Sequence, residues 1–148
     1  MKLAVRTAAG AAAVLLTPTT AGASLAEPPP ASAVRETTVV FHNDTDCALL
    51  QVGKETYQGI WVSEPDASVS AHGTDHFRTE GDGVSTGTEA AIRYRTVNCS
   101  RADKEIRFHW DNPYRDRNGY DFIGTDGAFI TRYTGGNGNR TTVEAYVS

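Results

Sequence analysis

Between residues 90 and 97 apolar and charged side chains alternate: Ile92, Tyr94 and Thr96 fall on one side, Arg93 and Arg95 on the other. A period of two is the mark of a β-strand with one face in the core and one in water. Residues 105–110 repeat it, with Ile106, Phe108 and Trp110 set against Arg107 and His109. Further β-type runs cover residues 37–42, 47–52, 129–133 and 142–147, with weaker ones at 61–62 and 76–78. Turn formers separate them, among them Asn43-Asp44-Thr45-Asp46 and Gly135-Gly136-Asn137-Gly138-Asn139. No stretch after residue 36 keeps a helical period for three turns. Short strands at even spacing predict an all-β domain, a single antiparallel β-sandwich. Roughly 110 residues are enough for such a domain to bury a core.

The first residues follow another pattern. Lys2 and Arg6 precede a short apolar run over residues 8–16, and small residues follow at Ala21-Gly22-Ala23 and Ser24-Leu25-Ala26. This predicts a secretory signal over residues 1–26, with an apolar run too short to span a bilayer. Residues 27–36, with Pro28-Pro29-Pro30, read as a disordered linker, which leaves 37–148 as the domain. Export predicts a secreted, extracellular protein. It removes two of the 14 basic residues and none of the 18 acidic ones, for a net charge of −6. Such a chain has no electrostatic claim on nucleic acid or anionic lipid. Neutral or zwitterionic lipid headgroups, glycans and basic proteins remain as ligands. The two cysteines of an exported chain predict one disulfide, Cys47 to Cys99, tying the second strand to the end of the strand at 90–97. Neither cysteine sits in a CxxC or has a histidine at ligand spacing, which argues against a redox or metal pair.

Few motifs carry chemistry. Gly83-Val84-Ser85-Thr86-Gly87 matches a G-x-S-x-G nucleophile elbow in letters. That device requires a strand turning into a helix, and here a strand is expected to follow. Asp116-Arg117-Asn118-Gly119 begins like a calcium loop, but its glycine comes two positions early and Gly127 stands where a bidentate glutamate belongs. Asp111, Asp116, Asp121 and Asp126 therefore read as turn acids. His42, His72, His76 and His109 form no HExxH. N-x-S/T sequons start at Asn43, Asn98 and Asn139. No constellation supports catalysis, and the aromatic residues become the informative feature. Trp and Tyr with one wet end suit membrane interfaces and stacking on sugars or choline-type groups.

The segments "VVFHNDTDCALLQ", "GIWVSEP", "VSTGTEAAIRY", "IRFHWDNPYRDRNGYDF" and "YTGGNGNRTTVEAYV" occur in that order. Together they resemble the aegerolysin family, and most of all its bacterial branch of small insecticidal crystal proteins from binary toxins. The features that carry the resemblance are Asn43, Gly59 with Trp61 and Pro65, Thr86-Gly87-Thr88-Glu89, Asp111-Asn112-Pro113-Tyr114, Asn118 with Tyr120, and the Gly/Asn turn at 135–139. They span nearly all of residues 37–148.

The resemblance implies an aegerolysin-like β-sandwich without enzymatic activity or cofactor that recognises membrane lipid, sphingolipid in the fungal members, which makes a sphingolipid-type headgroup the expected target. It implies a larger pore-forming protein partner, in the manner of a two-component cytolysin or insecticidal toxin. The candidate ligand-binding residues are Trp61, Trp110, Tyr114 and Tyr120, with His109 and Asp111 as hydrogen-bond partners for a headgroup. The secretory signal and the cysteine pair depart from the familiar members. The competing expectation is a small secreted module that binds glycan or protein with the same aromatics and has no membrane activity.

Overall fold

The computed structural model describes residues 34–148. The predicted signal at 1–26 and most of the predicted linker lie outside the described residues. Ten strands form two five-stranded sheets: β1 Glu36–Asn43, β2 Ala48–Gln58, β3 Ile60–Ser63, β4 Ser68–Val69, β5 Thr74–Glu80, β6 Thr88–Val97, β7 Glu105–Asn112, β8 Gly119–Asp121, β9 Thr131–Gly135 and β10 Arg140–Val147. One sheet runs β3-β5-β1-β10-β9 and the other β4-β2-β6-β7-β8.

Alternation in the sequence becomes alternation in space. Along β7, Ile106, Phe108, Trp110 and Asn112 are buried between the sheets, while Glu105, Arg107, His109 and Asp111 face outward. Val39, Phe41, Phe77, Val143 and Ala145 meet them from the other sheet. Rings interlock there: Phe41 lies 5.0 Å from Tyr94, and Phe108 lies 4.8 Å from Phe122. The Tyr94 hydroxyl donates to buried Asp75 at 3.1 Å. Burial and that carboxylate push the Tyr94 pKa far up.

Four features differ from the expected architecture. The first and last strands, β1 and β10, pair in parallel, so one sheet is mixed; no hairpin links strands this far apart in sequence, and nothing obliges them to run oppositely. β2 continues six residues past the expected end by passing two register irregularities. The run expected at 129–133 shifts: Phe129 donates its N–H to Asp126 in a turn, and pairing starts at Thr131. β1 begins at Glu36, inside the stretch read as linker, and Arg35 is bonded to the domain as well.

The disulfide Cys47–Cys99 is formed. It closes one end of the sandwich beside Asn43, whose side-chain amide donates to Cys47 O and Ser70 O at 2.8 Å. Asn43 is fully buried, so its sequon cannot be modified in the folded chain.

Candidate functional site

The end opposite the disulfide is assembled from five pieces of chain: the start of β1, the β2–β3 turn, and the loops at 81–87, 113–118 and 136–139. Arg35 bolts three of them together. Its guanidinium donates to Asn139 Oδ1 and to Tyr114 O and lies 5.7 Å from the centre of the Tyr114 ring. Asn118 donates to Gly136 O at 2.8 Å and Gly138 O at 2.9 Å, and Tyr120 donates its hydroxyl to Gly136 O at 2.8 Å. Gly136 has φ +83°, and a Cβ there would meet the Tyr120 ring at 2.4 Å, so only glycine fits. Gly87 is required for proximity: its Cβ would meet Asn112 O and Pro113 Cα at 2.8 and 2.9 Å.

A pocket of about 410 Å³ opens at this end, lined by Arg35, Asp116, Arg117, Asn118, Asn137 and Gly138. On the other side of residues 34–36 a more open hollow of about 390 Å³ is bounded by Val34, Glu80, Val84 and Arg140. Val84 is 78% exposed and Ile60 48%. This end therefore presents apolar tips around polar recesses.

The six expected site residues do not converge. Trp110 is corrected to a core residue: it is wholly buried, its indole N–H donates to Thr79 Oγ1 at 2.9 Å, and it offers no surface to a ligand. Trp61 packs edge-on against it at 5.6 Å and 80°, half-buried at the open margin of the sheets, with Lys54 over its ring. Tyr120 is spent on Gly136 and on stacking with Phe108. His109 and Asp111 lie on the outer face of β7. Both His109 ring nitrogens are occupied, by Asp121 at 2.9 Å and Glu89 at 3.0 Å, and Tyr57 approaches the ring edge-on. Burial first, then the neighbouring Glu89 charge, raises the Asp111 pKa. Of the six, Tyr114 is the one held against Arg35, a pocket-lining residue, by both its carbonyl and its ring.

Arg35, Arg117 and Asn137 were missed, since a cation in a proline-rich lead-in and polar residues in a turn carry no periodic signal. The motif residues proved to be clamps and spacers: Asn43, Asn112, Asn118 and Tyr120 each hold backbone in place, and Gly87 lets backbone approach closely. Ser85 sits at φ +63° in an exposed turn closed by Thr86 Oγ1 on Gly83, and strand β6 follows it, so no elbow forms. Asp121 and Asp126 accept the N–H two residues ahead, at Ile123 and Ala128, as turn acids do.

Solved structures share this architecture, two of them as follows. The lipid binding protein Nakanori superposes with a TM-score of 0.66 at 15% identity, over 77% of this chain and 71% of its own. The likeness is one of fold. RahU protein, in complex with a Tris molecule, superposes with a TM-score of 0.57 at 15% identity, over 80% of this chain and 96% of its own. No family model matches the chain, and no curated protein sequence matches it. The aegerolysin-like sandwich expected from the order of motifs is thus supported as a fold.

Proposed function

We propose that the protein is a secreted, non-enzymatic, aegerolysin-like protein that binds membrane lipid through the end carrying Arg35 and Tyr114. The observation that carries this reading is the exposure of Val84, on the loop that lines the second hollow, and of Ile60, at the start of β3. Apolar tips rimmed by polar groups are the mark of surfaces that meet membranes or partners, and a half-buried Tyr114 beside a guanidinium suits the bilayer interface. The fold shared with a lipid-binding protein supports the same reading. A sphingolipid-type headgroup is the proposed target. Among the described residues no helix is long and apolar enough to cross a membrane; permeabilisation, as half of a two-component cytolysin or insecticidal toxin, is therefore assigned to a larger protein partner.

The test is co-sedimentation of the full chain with vesicles of phosphatidylcholine alone or carrying sphingomyelin, ceramide phosphoethanolamine or galactosylceramide, each with and without sterol. Selective binding that Ile60→Asp with Val84→Asp abolishes, at unchanged circular dichroism, supports the reading. Absence of binding to every mixture overturns it.

A further inference from the structure

The free backbone along the edge of a sheet pairs readily with another strand unless something blunts it. The sandwich has four such edges, β3 and β9 in one sheet, β4 and β8 in the other. Three are blunted. β4 is two residues long and β8 three. β3 carries a register irregularity between Trp61 and Ser63, and such a bulge bends an edge out of line for pairing. The fourth edge, β9, has none of these devices. It holds no proline and no lysine, and its pairing with β10 runs unbroken from Thr131 to Gly135.

The hydrogen bonds show which groups of β9 point outward. Ile130 and Ser148 exchange N–H to C=O bonds at 2.9 Å, and the Gly136 N–H donates to Thr142 O at 2.9 Å. Bonded positions alternate along an antiparallel ladder, so Ile130, Arg132 and Thr134 turn their backbone groups toward β10. Thr131, Tyr133 and Gly135 turn theirs away from it, toward the side where the sheet has no further strand. The strand is open to water from Arg132 to Gly135, and Ile130 at its head is 75% exposed. The charge that would guard this edge is folded away: the Arg132 guanidinium lies 3.5 Å from the centre of the Tyr146 ring, back over its own sheet.

The occupant follows from what the edge offers. A second copy of β9, laid antiparallel about a two-fold axis at Tyr133, sets Thr131 against Gly135 of the other copy and Tyr133 against itself. All three outward residues of each copy are then used, for about six main-chain hydrogen bonds. Side chains agree with this register. Arg132 falls beside Thr134 of the second copy, and Thr134 is itself paired with Glu144. The row across the junction therefore reads Tyr146, Arg132, Thr134, Glu144, which brings the arginine toward an opposite charge and sets no like charges face to face. The two Tyr133 rings, each 46% exposed and 5.3 Å from Tyr120 in its own copy, meet at the axis.

We propose that the protein forms a two-fold dimer by pairing β9 with β9 of a second copy, which joins their sheets into one of twice the width. β9 runs from the disulfide end toward the pocket end, so antiparallel pairing points the two pocket ends in opposite directions. One dimer then holds two membranes rather than one, a consequence that rests on the lipid-binding reading above.

The experiment is sedimentation velocity of the full chain without lipid, from about 1 μM to about 1 mM, to bracket a Kd on the order of 100 μM for a small interface built on main-chain bonds. Thr131→Pro removes an outward N–H and leaves the bonds to β10 in place. Thr134→Arg sets like charges face to face across the junction, while in its own sheet it lies beside Glu144 and keeps the fold. Each should raise the Kd about tenfold or more, with circular dichroism unchanged, and Thr131→Ala should leave it as it is. A monomer at every concentration, or a dimer that survives both substitutions, overturns the inference and leaves the lipid reading standing. Phosphatidylcholine vesicles carrying sphingomyelin test the consequence: wild type clusters them and raises turbidity, whereas Thr131→Pro binds them without clustering. Clustering that the substitution leaves intact overturns the opposed geometry, and a dimer that binds no vesicles upholds the pairing and removes the lipid reading.

Discussion

Trp110 reaches across the sandwich to Thr79, its indole Nε1 2.9 Å from the threonine Oγ1, and both residues are wholly buried. The bond joins β7 of one sheet to β5 of the other. Thr79→Val leaves the indole N–H unpaired in a dry core and should cost about 1–3 kcal/mol, measured by urea denaturation. Thr37→Val and Thr88→Val, at neighbouring positions of similar burial, should shift stability the opposite way, because their hydroxyls have no partner to lose.

Gly136 and Tyr120 form a second pair whose fates are tied. Gly136→Ala forces a side chain into a left-handed backbone and against the phenol ring. It should lose about 1–3 kcal/mol of stability. Tyr120→Ala removes the obstructing ring but also the bond to Gly136 O. A double-mutant cycle on the two should therefore return a coupling energy of about 1 kcal/mol or more, whereas additivity would show that the ring and the turn are independent.

The disulfide closes a 52-residue separation at the end of the molecule remote from the pocket. In the chain-entropy model its loss should lower stability by about 4 kcal/mol. Denaturation with and without dithiothreitol measures this. Cys47→Ala with Cys99→Ala should leave vesicle affinity unchanged in conditions where the variant remains folded.

Asp111 makes a pH prediction of definite sign. Its carboxyl titrates above the ordinary aspartate value, through burial and the charge of Glu89. The ionised group thus opposes folding at neutral pH, and the penalty fades as pH falls through the raised pKa toward the unfolded value. Asp111→Asn should be more stable than wild type at pH 7, and the advantage should vanish in acid. Melting curves from pH 7 to pH 3 test it; an advantage independent of pH would assign the effect to packing.

The strands with one wet face were legible in the sequence. In β7, Glu105, Arg107, His109 and Asp111 must all face water, and that settles where Ile106, Phe108 and Trp110 go. The same alternation placed Trp110 inside, against its selection as a ligand contact. The second half of β2 was hidden because its register shifts twice, breaking the period of two between Gln51 and Gln58. The three residues of β8 are too few to show any period. Pairing of β1 with β10 joins residues about a hundred positions apart, which local pattern does not encode. The candidate site was legible only in part. Tyr114 and Asn118 stood out by motif, whereas Arg35 joins the candidate site by virtue of whom it reaches, Asn139 and Tyr114, and neither is near it in sequence.

The parallel pairing of β1 with β10 gives the domain a direction. Glu36 lies beside Arg140 at the pocket end, and both strands run from there toward the disulfide. Chain entering at Val34 therefore arrives beside the recesses, whereas Ser148 leaves from the far side. A reporter or surface tether fused after Ser148 would hold the molecule by its back and leave the recesses facing outward; the same cargo placed just before Val34 would stand in the doorway.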